Sequence, residues 1–276
     1  MKISLIISFY KRLDFLELIL MSLLNQEYKN FEVIIAEDDN ADETKKFLCD
    51  ITKKLPFKLL HVYQKKDEGF RKNEMLNKAI WVANGELIII IDGDCILHKA
   101  FFKEYIKAIK PKAVLFGRRA LLSESFTKKL LLLKNLNKLN VLNLIFSGSS
   151  RIEDVLYLPG IPGYLRKKRN KGVQGSNMGF LKTDILSING FDEDYQRATA
   201  GEDDDIEWRF RALGFEFISM KNKALQYHLY HRFNYSQKDT DYNLDIINKK
   251  RDKGIIFCLN GISKYAENPI KEFAEY

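Results

Sequence analysis

The sequence predicts an α/β fold in which a mostly parallel central sheet is flanked by helices. Three observations lead there. Leu87-Ile88-Ile89-Ile90-Ile91 is apolar throughout, the mark of a strand buried on both faces. Strand-like runs alternate with helix-period segments through the first half, as βαβ units require. The chain has 276 residues, 46% of them hydrophobic, enough for the core of one large domain or two small ones.

The elements follow in order. Residues 3–8, Ile-Ser-Leu-Ile-Ile-Ser, read as a first strand, and residues 13–24 as an amphipathic helix. Residues 31–36 give a second strand. Residues 42–55 give a helix whose acidic start suits its dipole and which Pro56 ends. A third strand over 58–62 precedes a helix over 71–83, for which Asn84-Gly85 is a C-cap signal. The strand at 87–91 comes next, then a helix over 99–109 and a strand over 113–116. Residues 128–146 are leucine-rich with interspersed Lys and Asn. Residues 156–171 hold two prolines and the basic run Leu165-Arg166-Lys167-Lys168-Arg169-Asn170-Lys171, expected to form an ordered connector. Strands over 177–181, 215–219 and 224–229 surround a helix over 202–213 that Gly214 ends.

Composition narrows the class. Cys49, Cys95 and Cys258 are odd in number and far apart, which argues against a disulfide framework and for a reducing compartment. The apolar stretch after Met1-Lys2 is short and lacks a small-residue cleavage site, so a buried strand is expected there rather than a leader. No apolar run reaches the roughly 18 residues of a spanning helix. A soluble or peripheral protein is expected. The net charge of +8 suits an anionic partner without choosing one. No zinc-finger, ribonucleoprotein or helix-turn-helix pattern is present, so nucleic acid is not expected.

The chemistry-bearing residues cluster at predicted strand and helix ends. Asp92-Gly93-Asp94 closes the apolar strand, putting two carboxylates one residue apart at the carboxyl end of a central strand, where open α/β sheets bind ligands. Two hard oxygen donors there suit Mg²⁺ or Mn²⁺ shared with substrate phosphates. Glu37-Asp38-Asp39-Asn40 ends the second strand at the same edge. A carboxylate there can accept a ring N–H such as N3 of uracil, although Asp and Asn are also ordinary cap and turn residues. Asp67-Glu68-Gly69-Phe70-Arg71 precedes a helix, where Arg71 could face a nucleotide or lock Asp38, or belong to a plain capping box. Glu202-Asp203-Asp204-Asp205 opens another helix. Helix starts favour acids, but four in a row repel each other unless something compensates, and one of them near an acceptor hydroxyl can act as general base. His228 and His231 are three apart and converge if the chain turns there. They suit Mn²⁺, or else form an aromatic patch with Tyr227 and Tyr230.

These motifs, in this order, resemble the inverting family 2 glycosyltransferases of the GT-A fold, over roughly residues 1–235. Ser8-Phe9-Tyr10-Lys11-Arg12 is similar to their first-strand turn, residues 37–44 to their DDGSxDxT nucleotide loop with Glu for the first Asp, and Ile91-Asp92-Gly93-Asp94-Cys95 to their metal-binding DxD segment. Gly175 to Phe180, Asn189-Gly190-Phe191-Asp192 and the GEDDD run at 201–205 resemble the C-terminal half of β1,4-galactosyltransferases and chondroitin-polymerising enzymes.

The resemblance implies a Rossmann-like single domain with a smaller acceptor-side subregion: residues 1–120 binding nucleotide, 172–235 holding acceptor and catalytic groups, and 236–276 a helical tail. It implies that Asp38 reads the base with Arg71 in support, and that Ser8, Tyr10, Arg12 and Gly93 line the donor nucleotide. Asp92 contacts the ribose or the metal. Asp94 binds Mn²⁺ or Mg²⁺ with His231 or His228. Asp203 is the base, Glu202 and Asp204 hold the acceptor, and Asn177 with the Gly175 backbone lines the donor sugar. The implied reaction moves sugar from a nucleotide-sugar donor, UDP-linked, to a saccharide or lipid-linked saccharide in surface polysaccharide or lipopolysaccharide synthesis. The expected location is cytoplasmic, with peripheral contact at the anionic inner face of the membrane through residues 128–146 and 165–171. A sugar-phosphate nucleotidyltransferase is the rival enzyme, disfavoured because no glycine-rich loop follows the first strand. A non-catalytic scaffold of the polysaccharide machinery is the second rival.

Overall fold

The apolar run at 87–91 becomes the middle of an eight-stranded sheet in the computed structural model, which describes residues 1–160, 172–199, 201–232 and 237–276. The chain begins β1 (Ile3–Phe9), α1 (Leu13–Leu24), β2 (Phe31–Glu37), α2 (Asp42–Thr52), β3 (Leu59–Tyr63), α3 (Lys72–Val82), β4 (Leu87–Asp92). It continues with β5 (Cys95–Leu97), α4 (Phe101–Ala108), β6 (Ala113–Phe116), β7 (Arg119–Leu121), α5 (Glu124–Leu133), α6 (Val141–Phe146), β8 (Asn177–Leu181), α7 (Lys182–Leu186) and α8 (Glu202–Ala212). Last come β9 (Glu216–Ser219), β10 (Gln226–His228), α9 (Gln237–Asp252), α10 (Lys264–Glu267) and β11 (Phe273–Glu275).

The large sheet runs β11-β3-β2-β1-β4-β8-β6-β9, and β5-β10-β7 form a second, smaller sheet. Strands β1 to β4 are parallel, while β8 enters antiparallel beside β4. Side chains of β4 alternate between two cores. Leu87, Ile89 and Ile91 pack with α1, and Ile88 and Ile90 pack with α3. All five are fully buried, which is why the run contains no polar residue. Register sets the site: Phe9 lies opposite Glu37 and Ser8 opposite Asp92, so the acidic ends of β2 and β4 flank the end of β1.

Several boundaries differ from expectation for physical reasons. Helix α2 stops at Thr52. Asn84-Gly85 is not a left-handed C-cap, because α3 ends with Ala83 extended. Gly85 is needed for close approach instead: a Cβ there would fall 2.4 Å from the Ser4 backbone nitrogen. The leucine-rich segment is not one helix. Lys134 turns left-handed after α5, a 3₁₀ turn spans Leu136–Lys138, and Asn140 caps α6 by accepting from the Asn143 N–H. The expected helical tail also carries a strand, since β11 pairs antiparallel with β3 and completes the sheet edge. The basic run at 165–171 lies outside the described residues. No helix among the described residues is long and apolar enough to cross a membrane.

Candidate active site

The nucleotide corner is built where β2 ends. Asp38 is buried, and its carboxylate accepts from the Arg71 backbone N–H at 2.9 Å and from Gln64 Nε2 at 2.7 Å. Burial pushes Asp38 up to about 6 against the pull of those two donors. Arg71 thus supports Asp38 through its main chain, while its guanidinium bonds the Phe70 carbonyl. Glu37, in place of the first Asp of the loop motif, is fully buried and paired with His61 at 2.8 Å, so it braces β2 against β3. Lys11, held at a positive φ, reaches to 3.5 Å from Asp39.

The second corner is the Asp92-Gly93-Asp94 turn. Gly93 donates its N–H to the Ser8 carbonyl at 2.7 Å, and a Cβ there would meet that oxygen at 2.8 Å, so only glycine lets β4 close onto β1. The small sheet delivers the histidines. His228 of β10 lies opposite Cys95 of β5, and the Leu229 N–H bonds the Asp94 carbonyl at 2.8 Å. His228 Nε2 comes to 3.2 Å and His231 Nε2 to 3.0 Å of the same Asp94 oxygen. Ligand atoms of Asp94, His228 and His231 all lie within 4.8 Å of one another. Donor atoms around one octahedral first-row ion are roughly 3–4.4 Å apart, so the cluster fits one. Burial would raise Asp94, but hydrogen bonds from the two imidazoles hold it well below the usual carboxylate range. His231 is raised by its bond to Asp94.

The start of α8 forms the third corner. Gly201 takes φ 132°, a conformation that glycine tolerates, and turns the chain so that Glu202 and Asp203 face the end of β4. Asp203 Oδ2 accepts the Gly175 N–H at 2.7 Å, whereas its Oδ1 has no hydrogen-bond partner among the described residues. Lys72 is the compensating charge the acidic run needs. Its ammonium sits 3.4 Å from Asp92 and 3.6 Å from Glu202. Burial would lower Lys72, but Asp92, Glu202 and Asp203 together hold it well above the ordinary lysine range. Burial raises Glu202 and Asp203, partly countered by Lys72 in both cases. Arg119 of β7 closes the gap between corners, 3.2 Å from Asp92 and 3.8 Å from Asp94.

Not every expected residue joins this arrangement. Asn177 is fully buried, its carboxamide taking the Tyr105 hydroxyl at 2.5 Å and donating to the Ala224 carbonyl, so it braces β8. The Gly175 N–H is committed to Asp203. Asp204 is exposed, next to the inward-facing Asp203. Asp205 is buried against Arg209 and Tyr195. Arg12 chelates Asp14 and stacks on Phe15, at the start of α1, and Tyr10 is half exposed. Sequence assigns no role to Lys72, Arg119 or Gln64. A lone basic residue at a helix or strand start carries no local signal, and only the excess of acids called for a partner.

The sheet thus carries acids at the ends of β2 and β4, with the Asp94, His228 and His231 cluster just past β4. The chain belongs to glycosyl transferase family 2, whose pattern matches residues 4–178. It is 26% identical to the amylovoran biosynthesis glycosyltransferase AmsB of Erwinia amylovora over 247 residues, 85% of this chain and 72% of that protein. It is 29% identical to the GalNAc(5)-diNAcBac-PP-undecaprenol beta-1,3-glucosyltransferase of Campylobacter jejuni over 96 residues, 34% of this chain but only 29% of that relative's length. The fold is similar to that of Staphylococcus aureus TarS 1–349 in complex with UDP-GlcNAc, with TM-score 0.62, 18% identity, and 91% of this chain and 66% of that one covered. It is also similar to the mannosyltransferase PcManGT of Pyrobaculum calidifontis in complex with GDP-Man and Mn²⁺, with TM-score 0.61, 15% identity, and 97% and 70% covered. The single-domain GT-A-like architecture expected from sequence is therefore the observed one.

Proposed function

We propose that this chain is a metal-dependent, inverting glycosyltransferase that moves a sugar from UDP to a hydroxyl of a lipid-linked saccharide at the inner face of the cytoplasmic membrane. The observation that carries the proposal is the convergence of Asp94, His228 and His231 on one point at the end of β4, beside Lys72, Glu202 and Asp203. One oxygen and two imidazole donors favour Mn²⁺ over Mg²⁺. When bound, the ion supplies Lewis-acid neutralisation of the leaving diphosphate.

The chain's own residues supply the rest. Asp38, with its carboxylate held by Gln64 and the Arg71 main chain, accepts the uracil ring N–H. Asp92 faces the ribose side, steadied by Lys72 and Arg119. Asp203 Oδ1 takes the proton of the acceptor hydroxyl as that oxygen bonds to the anomeric carbon. The bond from that carbon to the diphosphate breaks on the opposite face, which inverts the centre. A raised carboxyl is suited to the task, because a stronger base removes the proton more readily. Glu202 orients the acceptor sugar.

The likeness of residues 172–235 to galactosyltransferase and chondroitin-polymerising domains is part of this reading. It is supported by Glu202 and Asp203 standing at the β4 edge as that likeness requires. The division into a transferase domain over 1–235 and a tail over 236–276 is part of this reading too, with the tail packed into the same fold through β11. The lipid-linked acceptor is supported by the name of the Campylobacter relative, and a polysaccharide setting by that of AmsB.

Asp203→Asn keeps shape and removes basicity. Turnover should fall by about 10² to 10⁴ while UDP-sugar affinity stays within a factor of about two. Near-normal turnover in this variant would move the base to another group and defeat the assignment.

A further inference from the structure

Residues 124–146 present two unlike faces. Phe126, Leu130 and Leu144 are buried, and Leu131, Leu136 and Leu139 pack partly against the core. Exposed are Leu132 at 83%, Phe146 at 87%, Leu142 at 68%, Ile145 at 54% and Leu133 at 51%. Leu142, Ile145 and Phe146 stand at i, i+3 and i+4 on α6, so they form one outward apolar stripe. Soluble surfaces scatter single apolar residues; a stripe with more at the end of the neighbouring helix marks a contact surface. The same segment carries Lys128, Lys129, Lys134 and Lys138, all exposed, against one acid, Glu124. Lys128 pairs with Glu124 and Lys134 with Glu17, both at the surface, where such pairs yield readily to competing anions.

We infer that the α5–α6 face is a docking surface for an anionic lipid bilayer. Apolar side chains beside lysines are the composition that enters a headgroup boundary, with the bases meeting lipid phosphates. A second copy of the chain fits less well, since a two-fold contact would set this patch against itself and lysines against lysines. The face is tied to the site. Strand β7, which holds Arg119, runs into α5, and Thr127 of α5 accepts the Tyr230 N–H at 2.9 Å, one residue before His231. Helix α5 therefore packs directly on the segment that carries His231. The inference rests on the membrane setting proposed above and not on the chemistry at Asp203.

The test is co-sedimentation of the full chain with phosphatidylglycerol–phosphatidylcholine vesicles and with pure phosphatidylcholine vesicles, at low and at physiological salt. Wild type should bind the anionic vesicles, more weakly as salt rises, and the neutral ones much less. The combined Leu142→Ser, Ile145→Ser and Phe146→Ser variant should lose about a hundredfold in partitioning, about five-fold for each partly inserted side chain. Lys129→Gln with Lys138→Gln should weaken binding to anionic vesicles alone. UDP titration of the same variants should be unchanged, which separates failure of this surface from failure of the donor site. The inference is overturned if wild type ignores anionic vesicles at low salt, or if the triple serine variant binds like wild type. A wild-type dimer that the triple variant abolishes, with no vesicle binding, would assign the face to self-association and overturn it equally.

Discussion

Lys72 counters burial at Glu202 and Asp203. Its ammonium lowers Glu202 and Asp203, which burial raises. Replacing it with an uncharged side chain of similar length removes that pull, so both carboxyls hold their protons to higher pH. A base must be deprotonated to act, so activity is lost as pH falls through the pKa of the base. Lys72→Met should therefore move the acid limb of the kcat/KM–pH profile upward by about one unit or more. An unmoved limb, with kcat/KM lowered equally at every pH, would leave Lys72 a structural role only. The same scale shows what sequence reveals about single residues. The convergence of Asp94, His228 and His231 is what the resemblance implies, whereas the spacing of the two histidines alone fits an aromatic patch equally well. Asn177 is less legible: a polar residue beside glycines reads as a ligand contact, whereas its burial and the Tyr105 hydroxyl, which sequence does not show, give it a bracing role. Lys72 was invisible because its meaning comes from Glu202, far away in sequence.

Elements were legible where period and burial agree. The boundaries of α1 are those expected, and those of β4 differ by one residue, because an all-apolar or cleanly amphipathic run leaves no second choice. Punctuation was less legible. Gly85 reads as a helix stop but is fixed by contact: its N–H bonds Ser4 Oγ at 2.8 Å, and Ser4 in turn bonds the buried Glu32 at 2.6 Å. Gly85→Ala would drive a methyl group into the β1 backbone and should cost about 1–3 kcal/mol in urea unfolding. An unchanged midpoint would mean that β1 and the α3–β4 turn part easily. Leucine and lysine in the 128–146 segment are both good helix formers, yet the segment does not form one helix. Its breaks come from Asn135 and Asn140, each capping the turn that follows it.

At the scale of the whole molecule, the C-terminal segment is part of the fold. Cys258, Ile262 and Tyr265 are buried, Lys264 bonds Glu193, and Lys250 bonds Asp192. Three-residue β11 was not legible, since Phe-Ala-Glu has no strand period and exists only because β3 offers an edge. Deleting residues 253–276 should uncover that edge and abolish cooperative unfolding by circular dichroism. A truncated chain that melts as sharply and as high as the full one would show the segment to be an appendage. The sheet, in turn, holds the ends of β1, β2 and β4 together and so assembles a site in which Asp38 and His231 lie 193 positions apart. The most direct test of the account is calorimetric titration of UDP into the wild-type chain and into Asp94→Ala, each with Mn²⁺ and with EDTA. The account predicts that Mn²⁺ tightens UDP binding to wild type by at least about tenfold and that Asp94→Ala, still folded, loses this gain. Equal UDP affinity in Mn²⁺ and in EDTA, or an Asp94→Ala variant that keeps the full Mn²⁺ effect, would contradict it.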